Sequence, residues 1–343
     1  MGGIHKTDID WADSSWNPVT GCLHGCKYCY AARIAQRFEP HPSEWPEPNT
    51  VKKAKHDPRC YVATKPTVLR DADGKYLRST PYPKGFAPTI HTYKLGHLRT
   101  AKAPRRIFVG SMTDLFGDWV PDEWLGAIFR ECYDAPQHVY MFLTKNPKRY
   151  VALAESGLLP EGDNYWYGTT LTGSGNEYLR YTGRHSFISI EPLLGEFHAV
   201  DMWGKVGWVI IGAMTGPAAR KFKPEREWIE GTVANCQRAN VPVFMKNSIA
   251  PYWKGSLLQE YPDKMMAHLE RKPQIDWKAL DAHKVYVESV RDAKRCHACY
   301  SDIQGKPAWR LSARYYICTD CYEKSEAKPG TIKRPAGDAR YGD

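Results

Sequence analysis

Short apolar runs alternate with helix-like segments along the middle of the chain. The runs are rich in β-branched and aromatic residues, each ends in polar residues, and they recur about every 20 to 35 residues. They are RIFVGSMTD (106–114), HVYMFLTK (138–145), NYWYGTTL (164–171), HSFISIEP (185–192), VGWVIIGA (206–213) and VPVFMKN (241–247). Nearly continuous apolar strands that are joined by helices indicate a parallel sheet buried on both faces.

A further strand before Cys22 brings the pattern to about seven β/α units. We therefore predict an α/β protein whose core is a partial (β/α) TIM-type barrel of about six to seven units. Residues 1–38 would supply the N-terminal strand and a cysteine-rich loop, and residues 105–270 the remainder of the barrel. A flat, doubly wound sheet is the alternative.

The remaining segments do not show this alternation of apolar runs and helix-like segments. Residues 39–104 are rich in proline and turn signals, which predicts an irregular insertion that acts as a lid, a partner surface or a linker. Beyond the barrel we predict a connecting helix over 271–295, a compact module over 296–325 and a basic, disordered tail over 326–343.

Five of the six strand-like runs end in side chains that can do chemistry. The carboxyl ends of the strands carry the functional site in parallel α/β folds, so five such endings in register predict one shared site. The endings are Ser111-Met112-Thr113-Asp114, Thr144-Lys145, Thr169-Thr170, Ser189 with Glu191, and Lys246-Asn247.

The net charge of +10 is unevenly distributed, since the middle of the chain is nearly neutral and both flanks are basic. Basic flanks favour a polyanionic partner such as nucleic acid, with solubility alone as the alternative. The polar and acidic N-terminal residues predict no secretory signal, and no apolar run approaches the roughly 20 residues of a spanning helix. We therefore expect a cytoplasmic protein without membrane contact.

Ten cysteines without a secretion signal favour metal sites over disulfides. Four of them form two C-x2-C pairs that are separated by eighteen residues, a spacing typical of a zinc ribbon that holds structural Zn²⁺. These four are Cys296, Cys299, Cys318 and Cys321. Basic and aromatic residues around them favour nucleic-acid contact, and a simple cap on the fold is the alternative.

Three further cysteines, Cys22, Cys26 and Cys29, are spaced C-x3-C-x2-C. Three thiolates cannot complete a tetrahedral zinc site, but they can hold three irons of a 4Fe-4S cluster and leave the fourth iron open. The alternative is a zinc site with His24 as its fourth ligand.

The C-x3-C-x2-C spacing, with an aromatic residue directly before the last cysteine, resembles the radical SAM superfamily. WNPVTGCLHGCKYCYA, PRRIFVGSMTDLF, FLTKNPKRY, YGTTLTG, FISIEPLLG, WVIIGAMTG and VPVFMKN together resemble the phage-associated three-Cys-motif family, whose function is unknown. This resemblance spans roughly residues 11–262 and excludes the zinc-ribbon segment.

The resemblance implies that Cys22, Cys26 and Cys29 bind a 4Fe-4S cluster whose open iron binds S-adenosylmethionine (SAM). One electron, from a donor such as flavodoxin or ferredoxin, would cleave SAM to methionine and a 5′-deoxyadenosyl radical, which abstracts hydrogen from the substrate. The basic flanks, the zinc ribbon and the phage-type family favour a nucleic-acid or nucleotide-linked substrate. Base modification, rearrangement or repair would each fit.

The resemblance also implies roles for individual residues. Tyr28 would pack over the adenine side of SAM, and the GSMTD segment would replace the glycine-rich segment that usually receives the methionine ammonium group. Residues for the ammonium, ribose and carboxylate contacts are Gly110, Ser111, Thr113, Asp114, Thr170, Ser189 and Glu191.

Three more residues complete the candidate site. Lys145 and Lys246 would lie near the cofactor carboxylate or an anionic substrate, and Gly212 would allow close approach of the backbone to the adenosyl group. Among all these residues, we expect Glu191, Lys145 and Asp114 to be catalytic.

Two other functions fit parts of the sequence. The first is a nucleic-acid-binding protein that keeps an iron–sulfur cluster for structure or redox sensing. Such a protein does not need polar strand ends that converge on the cluster. The second is a protein whose two cysteine clusters both bind zinc.

Overall fold

The computed structural model describes residues 4–47, 50–101, 103–173, 185–197 and 206–270, and the backbone of three strands between 285 and 318. The chain divides into two units. The larger unit comprises Met1–Tyr133 and Gln137–Glu270, and the smaller one comprises Asp134–Pro136 and Arg271–Asp343.

Strands account for most of the described elements. In chain order they are β1 (His5–Lys6), β2 (Ser14–Trp16), β3 (Val19–Thr20), β4 (Trp45–Pro46), β5 (Val51–Lys53), β6 (Tyr61–Ala63), β7 (Thr67–Arg70), β8 (Tyr76–Thr80), β9 (Pro83–Phe86), β10 (Thr89–His91), β11 (Arg106–Val109), β12 (Val139–Thr144), β13 (Tyr165–Leu171), β14 (Ser186–Ile190), β15 (Trp208–Ile211), β16 (Val243–Met245), β17 (Val285–Val287), β18 (Ala308–Ser312) and β19 (Tyr315–Cys318).

Helices connect several of these strands. The α-helices are α1 (Tyr30–Phe38), α2 (Asp122–Tyr133), α3 (Lys148–Glu155), α4 (Arg226–Arg238) and α5 (Asp263–Glu270). Short 3-10 helices cover Thr92–Lys94, Leu98–Thr100, Gly216–Arg220 and Asn247–Tyr252. No helix in the described part of the chain is both long and apolar enough to cross a membrane.

Local sequence explains where the helices begin and end. Asp122 and Glu123 lie in the first turn of α2 and Arg130 in its last turn, which complements the helix dipole. Helix α4 ends at Arg238, and Asn240, two residues further on, has a positive φ of 53° that lets the Val241 amide donate to the Cys236 carbonyl at 2.9 Å. This is the backbone pattern that asparagine or glycine permits after a helix.

One eight-stranded sheet forms the core of the larger unit, in the order β1-β2-β11-β12-β13-β14-β15-β16. Seven neighbouring strands from β2 to β16 run parallel, and only β1 is antiparallel to its neighbour. The sequence prediction of an α/β protein with a large, mostly parallel sheet is confirmed. Each of the six apolar runs contains one strand, from β11 to β16.

The sheet is open and curved. Within the described residues, β1 and β16 each pair with one neighbour, so backbone hydrogen bonds do not close a barrel. The buried ring of Trp11 lies 4.7 Å from that of Phe108 on β11 and 6.2 Å from that of Phe187 on β14. Because two strands separate β11 from β14, contact of one ring with both requires the sheet to curve around Trp11.

The segment 39–104 is more regular than the irregular insertion that its turn signals predict. It contains β4 to β10, most of which belong to two small sheets of order β3-β10-β6-β5 and β4-β7-β8. Its strands are only two to five residues long, which is why frequent prolines and turn residues concealed them in the sequence.

In the smaller unit, β17, β18 and β19 form an antiparallel sheet. Residues 285–287 are therefore strand, which corrects the prediction of a continuous helix over 271–295. The rest of that predicted helix, the side chains of Cys296, Cys299, Cys318 and Cys321 that are predicted to bind zinc, and the predicted tail over 326–343 lie outside the described residues.

Candidate functional site

A cavity of about 380 Å³ lies at the carboxyl ends of the parallel strands. Twelve of the fourteen residues predicted for the iron–sulfur and SAM site line it, so residues from five strand ends and the cysteine loop meet in one place. These twelve are Cys22, Cys26, Tyr28, Cys29, Ser111, Thr113, Asp114, Lys145, Thr170, Ser189, Glu191 and Lys246.

The two predicted residues that do not line the cavity are glycines next to its wall. Gly110 has a φ of +84°, and a Cβ atom there would lie 2.9 Å from the side chain of Leu115. A Cβ atom on Gly212 would lie 3.0 Å from Lys246 and 3.1 Å from Glu191. Gly212 therefore leaves the space in which these two side chains meet, and the structure gives it this role rather than direct contact with the cavity.

The cysteine loop is held between β11 and the insertion. The Gly21 amide donates to the Met112 carbonyl at 2.9 Å, and the Thr113 hydroxyl donates to the Gly21 carbonyl at 2.6 Å. On the other side, the Cys22 amide donates to the Phe86 carbonyl at 3.1 Å. The Thr113 hydroxyl, which was predicted to contact SAM, is thus engaged in fixing the loop.

The last cysteine of the motif also begins helix α1. The Ala32 amide donates to the Cys29 sulfur at 3.4 Å, so Cys29 occupies the N-cap position.

The three thiols are free and partly buried. Burial raises the pKa of the Cys22 thiol to about 12, so metal binding there would have to displace a proton. Thiolates are the ligands that iron–sulfur clusters use, and the donor set fits such a cluster chemically. Among the described residues no three His, Cys, Asp or Glu side chains converge as a metal site, so the cysteines share the cavity without meeting at one point.

Asp114 is buried and accepts four hydrogen bonds from protein groups. Its Oδ1 atom accepts from the Phe116 amide at 3.0 Å and the Thr144 hydroxyl at 2.7 Å. Its Oδ2 atom accepts from the Lys145 amide at 2.9 Å and lies 2.8 Å from His24 Nε2. The carboxylate therefore ties the cysteine loop to the ends of β11 and β12.

His24, the alternative zinc ligand, points one ring nitrogen at Asp114. Its ring also packs edge-on against Trp119, with 4.9 Å between centroids. In this structure His24 is therefore a link between the cysteine loop and the sheet.

Two cations face the cavity from different strand ends. Lys246 forms an ion pair with Glu191, and their side chains are 17% and 29% exposed. The Lys145 ammonium lies 5.6 Å from the centroid of the Tyr28 ring, within the range of a cation–π contact. The cavity thus has a carboxylate–ammonium pair on one side and a cation with an aromatic ring on another.

Hydroxyl groups at the strand ends differ in whether they have a hydrogen-bond partner among the described residues. Ser111 donates to the Asn17 side chain at 3.1 Å. Ser189 is fully buried, and its hydroxyl has no hydrogen-bond partner among the described residues; the same holds for the indole nitrogen of Trp11. Both atoms belong to cavity-lining residues.

Sequence reasoning missed several lining residues because they come from segments without a strand-end pattern. Asp8, Ile9 and Trp11 precede the first parallel strand, and Phe86 comes from the insertion. Met214 lies in the GAMTG segment, where the two glycines marked close approach of the backbone but not the methionine between them.

Tyr30, to which sequence analysis gave no role in the site, also lines the cavity. Its hydroxyl donates to the Ser111 carbonyl at 2.5 Å, which connects the first turn of α1 to the end of β11. A tyrosine directly after the last cysteine was visible in the sequence, but its partner was not.

The fold and the site together define an α/β protein with a cysteine-lined cavity at the carboxyl edge of a parallel sheet. The chain belongs to the family described as "Protein of unknown function (DUF5131)", whose model matches residues 6–271. No curated protein and no solved structure matches the chain. The family match contains the whole cavity and ends before the smaller unit's strands.

Proposed function

We propose that this protein is a radical SAM enzyme built on a partial TIM-type barrel, with a nucleic-acid or nucleotide-linked substrate. One observation carries the proposal: three free cysteines in C-x3-C-x2-C spacing line the same cavity as the polar ends of five parallel strands. A structural iron–sulfur site has no need of such a cavity, whereas a site that binds a second molecule at an open iron requires one.

Cys22, Cys26 and Cys29 would hold the 4Fe-4S cluster. When bound, the cluster and SAM supply reductive cleavage of SAM and hydrogen abstraction from a substrate C–H bond. An electron donor such as flavodoxin or ferredoxin would reduce the cluster. The cavity volume of about 380 Å³ falls within the range of small-molecule sites.

Glu191 and Lys246 are the residues that we assign to the charged end of SAM. A zwitterionic amino acid presents an ammonium and a carboxylate side by side, and the Glu191–Lys246 pair offers both opposite charges at one wall. Lys246 would bind the carboxylate and Glu191 the ammonium or a ribose hydroxyl. The Ser189 hydroxyl, buried without a partner among the described residues, would add a hydrogen bond deeper in the cavity.

Asp114 is assigned a positioning role, because protein donors already occupy both of its oxygens. Lys145 and Tyr28 remain accessible to a bound molecule, and a cation against an aromatic ring suits a nucleobase or a phosphate. Apolar side chains make up much of the remaining wall and would exclude water from a reactive intermediate. These are Trp11, Phe86, Phe108, Leu143 and Met214.

The proposal of a nucleic-acid substrate is based on the net charge and on the cysteines of the smaller unit. The net charge is +10, and the C-x2-C pairs at 296–299 and 318–321 predict a Zn²⁺ ribbon with basic and aromatic neighbours. Phosphate contacts from such flanks would deliver substrate to the cavity without reading its sequence.

The test is anaerobic reconstitution with iron and sulfide, followed by metal analysis and equilibrium dialysis against radiolabelled SAM. The proposal predicts about four irons per chain, up to one zinc, and SAM binding that Cys26→Ala abolishes. Cys236→Ala, which removes a buried thiol in α4, serves as the matched control. Iron loading without SAM binding would favour the iron–sulfur binding protein, and two zincs without iron would favour the zinc protein.

A further inference from the structure

The small sheet β4-β7-β8 presents an aromatic and basic face to solvent. Trp45 on β4 lies opposite Arg70 on β7, and Arg70 lies opposite Tyr76 on β8. Directly opposed residues project from the same face of a sheet, so Trp45 and Arg70 share a face, and Tyr76 extends this row across a register shift that lies between Leu69 and Arg70. Trp45 is 52% exposed, Tyr76 55%, and the Arg70 side chain 40%.

The opposite face of this sheet is fixed to helix α1. Leu69 is fully buried, and the Arg78 guanidinium donates to the carbonyls of Phe38 at 3.0 Å and Glu39 at 2.9 Å. The Thr80 hydroxyl also donates to the Phe38 carbonyl, at 2.5 Å. The exposed row therefore stands on a sheet that is anchored to the end of α1, whose first residue follows Cys29.

Charge at the insertion favours an anionic partner. Residues 39–104 contain twelve lysines and arginines and six carboxylates, which is more than half of the net charge of the chain. At the row itself, Glu47 lies 3.9 Å from Arg70 and 3.6 Å from Lys65, so one carboxylate is shared between two cations.

We propose that the row Trp45–Arg70–Tyr76 is a stacking platform for unpaired bases of a single-stranded nucleic acid. Aromatic rings and guanidinium planes stack on bases of any sequence, and a surrounding positive charge attracts the phosphate backbone. A protein partner would favour a continuous apolar patch, whereas here a cation separates the two rings. The inference rests on the proposed function, because it names the form of its substrate.

The platform lies close enough to the cavity for one nucleic-acid strand to reach both. Helix α1 has nine residues and therefore spans about 13 Å, with the cysteine loop at its start and the platform sheet at its end. A strand of nucleic acid that stacks on the platform would need to extend only a few nucleotides to reach the cavity.

The test measures fluorescence anisotropy of the full-length protein with labelled 12-mers of dT and of rU, and with a 12-base-pair DNA duplex. The variant Trp45→Ala/Tyr76→Ala removes both rings. Tyr133→Ala removes a tyrosine that is 67% exposed on α2 and serves as the matched control. Circular dichroism and the thermal midpoint verify that each variant is folded.

We expect single strands to bind more tightly than the duplex, and the double variant to lose about tenfold or more in affinity, with Tyr133→Ala within twofold of the wild type. Preference for dT or rU would distinguish a DNA from an RNA substrate. Equal affinity of wild type and double variant, preference for the duplex, or no binding at all would overturn the inference. Because the assay requires neither cluster nor SAM, its result is independent of the reconstitution experiment.

Discussion

At the scale of single residues, Asp114 holds the parts of the site together through hydrogen bonds. Both carboxylate oxygens are occupied, by two backbone amides, the Thr144 hydroxyl and His24. Three parts of the chain that are distant in sequence thus share one buried anion. The sequence predicted Asp114 as a catalytic residue, and the geometry supports a role in positioning the cysteine loop instead.

Replacing this carboxylate should therefore destabilise the folded protein. Asp114→Asn keeps one acceptor oxygen and places an amide N–H₂ against donors, which leaves buried groups unsatisfied. We expect the free energy of unfolding to fall by about 2 to 3 kcal/mol, measured by urea denaturation. Asp73→Asn, in an exposed turn, should change it by less than about 0.5 kcal/mol. A similar small change for Asp114→Asn would contradict the role assigned to it.

Residue types at strand ends could be predicted from the sequence, but their partners could not. The positions of Ser111 and Thr113 relative to an apolar run indicated the site. Their hydroxyls are engaged by Asn17 and Gly21, which follow β2 and β3 and precede them by more than ninety residues. A pattern along one strand carries no information on which neighbouring loop will reach its end. The sequence therefore could not distinguish hydroxyls that have a hydrogen-bond partner in the protein from those that have none.

At the scale of elements, the cysteine loop depends on close packing against the insertion. Gly21 has a φ of +88°, and a Cβ atom there would lie 2.3 Å from the Ala87 carbonyl oxygen. Gly25, within the same loop, also has a positive φ of +66°, but open space surrounds it. A side chain at Gly25 would therefore meet backbone strain alone, whereas a side chain at Gly21 would meet both backbone strain and a steric clash.

Alanine at these two positions should therefore have different effects. Gly25→Ala introduces only the strain of a left-handed backbone, which costs about 1 kcal/mol. Gly21→Ala adds a clash with a backbone atom, and we expect a loss at least about 2 kcal/mol larger. Urea denaturation of both variants provides the measurement. Equal losses would mean that the loop does not pack against the insertion as described.

Element prediction succeeded where periodicity was strong. The six apolar runs contain β11 to β16, since continuous β-branched and aromatic residues fit a sheet buried on both faces. It failed over 39–104 and at 285–287, where strands of two to five residues are too short to show a period. Tertiary contacts, such as the Arg78 bonds to the end of α1, hold such strands in place.

At the scale of the whole molecule, a buried histidine joins the insertion to the large sheet. His138 precedes β12, is fully buried, and its Nε2 atom lies 3.3 Å from the Leu98 carbonyl. Burial lowers the pKa of this imidazole to about 4. The folded protein therefore keeps His138 neutral at a pH where the unfolded chain has already bound a proton.

Stability should consequently fall as the pH decreases from about 6.5 towards 4. His138 would contribute about 2 kcal/mol of this loss between pH 7 and pH 5. We expect His138→Gln to remove that part of the slope in urea denaturation series at several pH values, because glutamine does not titrate. His41→Gln, at an exposed position, is the control, and an unchanged slope in His138→Gln would refute the assignment.

If the cysteine-lined cavity cleaves SAM, as we propose, the reaction releases 5′-deoxyadenosine, which chromatography detects. The reconstituted protein is reduced with dithionite in the presence of SAM, and the product is quantified. We predict 5′-deoxyadenosine from the wild type and from Cys236→Ala, and none from the variant in which Cys22, Cys26 and Cys29 are all alanine. A wild-type protein with an intact 4Fe-4S cluster that forms no 5′-deoxyadenosine would contradict the claim.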